Sequence, residues 1–157
     1  MPFSFKKISL LIGEILLIIA SMDINTHVIC IGNEILLGHI SNTNAEYISR
    51  KLSSSGIRTS MHISVPDEEN AIIRSIRESL GISDIVIVTG GLGPTVDDLT
   101  LKCISKALGK KLVLNKKVAA RIKRNFKNRK LSMPKNNLRQ ALVPEGAIPV
   151  LNNIGTA

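Results

Sequence analysis

Residues Thr26 to Gly32 read THVICIG, an unbroken apolar run that stops on a glycine. A strand with one face in water alternates apolar and polar side chains, whereas a run without alternation suits a strand covered on both faces. The neighbouring sequence supplies helices for the covering. Asn42-Thr43-Asn44 suits a helix start, Ala45, Ile48 and Leu52 recur at helical spacing, and Gly56 closes the segment. Asn33 to Asn44 reads as a loop, and IRTSMHISV, Ile57 to Val65, alternates as a second strand. Pro66-Asp67-Glu68-Glu69 opens the next helix with carboxylates at the positive end of its dipole. Ile72, Ile73, Ile76 and Leu80 form its apolar face, and Gly81 ends it. DIVIVTGG, Asp84 to Gly91, is a third strand. A third helix follows from Asp97 to a cap at Gly109, with Leu99, Cys103, Ile104 and Leu108 inward. The fourth spans Asn115 to Arg129 on a sparse stripe of Val118, Ile122 and Phe126. Asn136 to Gln140 opens a turn or short helix, and Ala147 to Leu151 reads as one more strand.

This alternation predicts an α/β fold of three layers: a mainly parallel sheet, right-handed crossovers, and helices on both faces. Ligands of such sheets bind beyond the carboxyl ends of the strands. The loop after Gly32, Asp67 and the glycines after Thr89 therefore share one rim.

The third strand runs into Gly90, Gly91 and Gly93, then Pro94 and the pair Asp97-Asp98. Glycines let backbone turn sharply and come close to a ligand, because no Cβ intervenes. Thr95 and Asp98 have capping-box spacing, and free amides at a helix entrance attract an anion the size of phosphate. The turn is no Walker loop, since no Gly-Lys-Ser/Thr follows, and its spacing differs from the dinucleotide fingerprint. Two carboxylates beside a phosphate repel it unless a cation lies between them, and Mg2+ would remove the conflict. Asp67 would add a carboxylate for the metal or orient a water. The competing reading is that Asp67, Asp97 and Asp98 are helix-start residues with no further role. His27, His39 and His62 are scattered and suit packing or solvent rather than a metal.

Charge is unevenly spread. Between Leu99 and Pro144 stand 14 Lys or Arg and no acid, while the rest of the chain has 7 bases against 12 acids. Such a block is either a solvated helix face or a surface for anionic partners. Nucleic acid is disfavoured, because Phe126 is the block's one aromatic residue and the sequence carries no helix-turn-helix, zinc-finger or RNA-recognition signature. Cys30 and Cys103 have neither metal nor redox spacing and read as small buried apolar residues in a reducing, cytoplasmic compartment. Residues 1–21 are a separate apolar extension with Lys6-Lys7 at its start and Ala20-Ser21 at its end, the outline of a secretory signal. Glu14 in mid-run, the short length, and Met22 just before the first strand instead favour a domain of 22–157 and no membrane span. A true signal or an appended apolar helix is the alternative.

Three stretches in order, GNEILLGHISNTN (Gly32 to Asn44), VPDEE (Val65 to Glu69) and TGGLGPTVDDLT (Thr89 to Thr100), resemble the molybdopterin-binding (MoaB/Mog-like) domain family. NNLRQALVPEGA (Asn136 to Ala147) and NNIGTA (Asn152 to Ala157) extend the likeness to nearly everything from Met22 onward. Leu92 in GGLGPT makes it most similar to the N-terminal domain of CinA, or competence/damage-inducible, proteins. The resemblance implies the α/β fold of that family and a homo-oligomer. It also implies a metal-assisted site for a small phosphorylated ligand, either ADP-ribose hydrolysed to AMP and ribose phosphate or a molybdopterin-like compound. Carried over, it makes Asp67 and Asp98 catalytic and puts Asp97 and Asp98 at a divalent metal. It turns Gly90, Gly91, Gly93, Thr95, Glu34, Asn44, Asn137 and Gln140 toward the ligand. The family continues beyond Gly-Thr-Ala, so a domain incomplete at its C-terminal end, and a binding module without turnover, are expectations beside the enzyme.

Overall fold

The computed structural model describes residues 24–93 and 99–150. β1 (Asn25–Ile31) lies between β2 (Arg58–Val65) and β3 (Ile85–Thr89), and both pairings are parallel. Ile29 stands opposite Ile63 on one side and Val88 on the other. In the same register Ile31 meets Val65 and Cys30 meets Thr89, so the three carboxyl ends finish almost level.

The helices are α1 (Asn33–Leu36), α2 (Thr43–Ser54), α3 (Glu69–Ile82), α4 (Thr100–Leu108) and α5 (Lys116–Asn128). α2 starts where the Asn42 side chain accepts from the Ala45 amide at 3.1 Å. α5 starts the same way, with Asn115 accepting from Val118 at 3.1 Å. β1 is buried on both faces, as its unbroken apolar run requires. Ile29 and Ile31 pack with Val65, Ile72, Ile76 and Cys103 under α3 and α4. Val28 and Cys30 pack with Ala45 and Ile48 under α2. A third cluster, Ala119, Ile122 and Ala141, joins α5 to a 3-10 helix, Lys135–Ala141. Next to it β4 (Leu112–Leu114) and β5 (Leu142–Pro144) form a small antiparallel sheet. Both cysteines are buried and free. Among the described residues no helix is long and apolar enough to cross a membrane.

The expected last strand at Ala147 to Leu151 is corrected. The pairing segment is Leu142–Pro144, because β4 is there to meet it, and Ile148 and Val150 are 88% and 92% exposed. Gly81 does not end α3. The helix runs on to Ile82 and stops at Ser83, whose hydroxyl donates back to the Ser79 carbonyl at 2.6 Å. Leu80 and Leu108, expected inside, are 44% and 45% exposed. The buried stripes turn instead through Ser79 and Ser105, whose small side chains suit close packing. The start of the supposed loop at Asn33 forms the short helix α1. Residues 1–21, Thr95, Asp97 and Asp98 lie outside the described residues, and so does Leu151.

Candidate functional site

The level strand ends make the rim. The Gly32 amide donates to the Val65 carbonyl at 3.1 Å, tying the end of β1 to the end of β2. One residue on, the Asn33 amide donates to Asp67 Oδ2 at 2.9 Å, and the Asp67 amide donates to Asn33 Oδ1 at 3.4 Å. Half-buried Asp67 is thereby fixed beside the first loop. Gly90 and Gly91 have φ of 96° and 56°, the left-handed region that favours glycine. A Cβ on Gly90 would collide with the Ile31 carbonyl oxygen. One on Gly91 would stand 2.6 Å from Thr100 Oγ1 and 3.9 Å from Asp67 Oδ1. Buried Thr100 donates its hydroxyl to the Gly90 carbonyl at 2.7 Å and so pins the turn to the start of α4. The glycine turn is held between β1 and α4 with the Asp67 carboxylate facing it.

Two further expected residues reach this rim. Glu34, in the first turn of α1, folds its carboxylate over Gly32, close enough that a Cβ there would meet it. Asn44 donates to Thr89 Oγ1 at 3.2 Å, at the end of β3.

Beyond the turn a cavity of about 200 Å³ opens between Gly91, Leu92 and Gly93 on one side and Leu101 and Lys102 of α4 on another. Leu112 and Leu142 of the small sheet, with Arg139 and Gln140, complete it. Asn137 donates to Gln140 Oε1 at 3.4 Å and stands one turn behind it. Lys102 also reaches Glu69 at the start of α3, at 2.7 Å, and Lys106 bonds the other carboxylate oxygen. Hydrogen bonds from Lys102 and then Lys106 pull Glu69 down to about 2, and Glu69 holds Lys102 above its ordinary value. Burial pushes the Cys103 thiol up, away from the reactive thiolate.

The family described as the probable molybdopterin binding domain matches residues 27–154, spanning this rim and cavity. The chain belongs to that family. This molybdopterin-binding-type domain is 48% identical over 130 residues to a competence-damage inducible protein of Caldicellulosiruptor saccharolyticus, covering 83% of this chain and 32% of that protein. It therefore spans about a third of the length of that curated relative. The solved structure of the protein CinA from Thermoplasma acidophilum aligns with a TM-score of 0.76 at 35% identity, over 85% of this chain and 78% of that one. MoaB from Thermus thermophilus, at 17% identity and a TM-score of 0.52 over 77% of this chain and 79% of that one, shares the fold. The domain is thus CinA-like, on a MoaB/Mog fold.

Of the residues named from the sequence, Gly91, Gly93 and Gln140 line the cavity, and Gly90, Asp67, Glu34 and Asn44 stand on the rim. Asn137 acts on Gln140. Sequence reasoning missed Lys102 and Arg139 as individuals, because both were counted within the basic block. The position of Arg139 directly before Gln140 was the available signal.

Proposed function

We propose that this rim binds a nucleotide pyrophosphate or pterin phosphate together with a divalent cation, Mg2+ in the first instance. It would hydrolyse the pyrophosphate bond, as in ADP-ribose to AMP and ribose phosphate. The observation that carries the reading is the Asp67 carboxylate facing a glycine turn that opens on a cavity. Asp67 fits a hard cation: Oδ2 takes the Asn33 amide, and Oδ1 has no hydrogen-bond partner among the described residues. Those residues contain no group of three side chains able to hold a metal. The ion would therefore share Asp67, Asp97 and Asp98 with the ligand's own oxygens, as Mg2+ commonly does in phosphate sites. When bound, it would neutralise phosphate oxygens and polarise phosphorus.

The chain's own groups supply the rest. Amides of Gly91 and Gly93 would hold phosphate oxygens, with Thr95, Glu34, Asn44, Asn137 and Gln140 as further polar contacts of the ligand. Asp98 or Asp67 would orient a water and take its proton as the water oxygen bonds to phosphorus and the bridging P–O bond breaks. ADP-ribose with Mg2+ should raise the melting temperature and yield AMP. Asp98→Ala should abolish product while leaving far-UV circular dichroism unchanged. Undiminished turnover in that variant removes Asp98 from the chemistry.

A second reading, binding without turnover, is favoured by the commitment of Asp67 Oδ2 to the Asn33 amide, a bracing role. Stabilisation by ADP-ribose without product would select it. Self-association fits the exposed apolar side chains Leu36, Leu37, Ile40 and Tyr47 on and beside α1 and α2, and the free buried cysteines fit a cytoplasmic setting.

A further inference from the structure

We propose that Arg139 is a second anion-binding point of the glycine-turn cavity, and that this cavity takes a phosphate carried together with an apolar ring. The inference rests on the reading that the rim binds a phosphorylated compound. The cavity has a backbone wall, Gly91 and Gly93, and a wall with two cations, Lys102 and Arg139. The two cations are not equivalent. Lys102 lies 2.7 Å from Glu69, which holds its ammonium toward α3 and is shared with Lys106. Arg139 takes part in no ion pair among the described residues.

A guanidinium is charged at every pH of interest and presents a planar fork of donors that matches two oxygens of a phosphate. Beside it Leu101, Leu112 and Leu142 offer no hydrogen bond and suit the flat face of a ring. Gln140, with Asn137 bonded behind it, adds a neutral amide for a ring edge. The antiparallel pairing of Leu112 with Pro144 and Leu114 with Leu142 anchors the chain just after Gln140 beside α4. The wall thus comes from segments that are distant in the chain. A ligand with a charged phosphate and a heteroaromatic ring matches both surfaces, whereas an uncharged nucleoside leaves the guanidinium unanswered.

The test is titration calorimetry with AMP, inorganic pyrophosphate and adenosine, in EDTA and again in Mg2+. Arg139→Met keeps a long apolar stem at an exposed position, and its melting curve checks the fold. It should weaken AMP and pyrophosphate about tenfold or more while adenosine is unchanged, and Arg139→Lys should recover part of the loss. Wild-type affinity for AMP in Arg139→Met overturns the assignment and leaves the proposed function standing. Equal weakening of adenosine and AMP also overturns it, since that marks packing rather than charge. Arg139-dependent binding without hydrolysis of ADP-ribose supports the assignment and removes the hydrolytic reading. No binding of either phosphate compound by the wild type, with or without Mg2+, overturns both.

Discussion

At Gly90 the obstacle to a side chain is the carbonyl oxygen of Ile31, a backbone atom of the central strand that cannot swing aside. Gly146 has a similar φ of 84° against 96° at Gly90, but a Cβ there would meet open space. Comparing alanine at the two positions separates collision from backbone strain. Gly146→Ala should lower the unfolding free energy by about 1 kcal/mol and Gly90→Ala by about 2–4 kcal/mol. Urea titrations of both variants measure this, and equal losses would show that close approach to Ile31 is unimportant. The glycine turn and Asp67 were legible in the sequence because their chemistry is local: glycines after a strand end, and a carboxylate after the neighbouring strand. Arg139 was harder to read, because a run of basic residues does not single one out and its place directly before Gln140 is the one local cue.

Between elements, an ion-pair link joins α3 to α4, where Glu69 takes Lys102 at 2.7 Å and Lys106 as well. Arg77 adds a bond from α3 to the Lys106 carbonyl at 3.2 Å. Glu69 is depressed from 4.5 to about 2, so the folded state prefers its charged form. Its contribution is fully present above about pH 4.5 and is lost as pH falls toward 2. Wild-type stability should therefore fall more steeply over that interval than that of Glu69→Gln, in urea titrations at stepped pH. Parallel curves would mean the pair adds nothing to folding. Helix periods located α3 and α4, but not their exact faces. Leu80 and Leu108 look like core by hydrophobicity, yet the contact surfaces pass through Ser79 and Ser105. Helix-to-helix packing depends on side-chain size across the contact as well as on apolarity.

For the whole molecule, stability should be graded outward from β1, which is paired on both edges and buried on both faces. Its amides should be the slowest to exchange with deuterium, while β4, β5 and the 3-10 helix, with a smaller core, exchange sooner. Exchange followed by mass spectrometry checks the order, and faster exchange in β1 than in β5 would contradict it. Taken alone, the sequence determined the layered α/β class, a first strand buried on both faces, the helix starts at Asn42 and Asn115, and the rim holding Asp67 and the glycine turn. Each of these follows from patterns within a few residues, since periodicity, capping and turn chemistry are short-range. Only the tertiary structure decided that Leu142–Pro144 pairs with Leu112–Leu114, that Glu69 claims Lys102, and that Arg139 and Gln140 close the cavity. Those outcomes join residues far apart in the chain, and they depend on which surfaces meet when the layers pack.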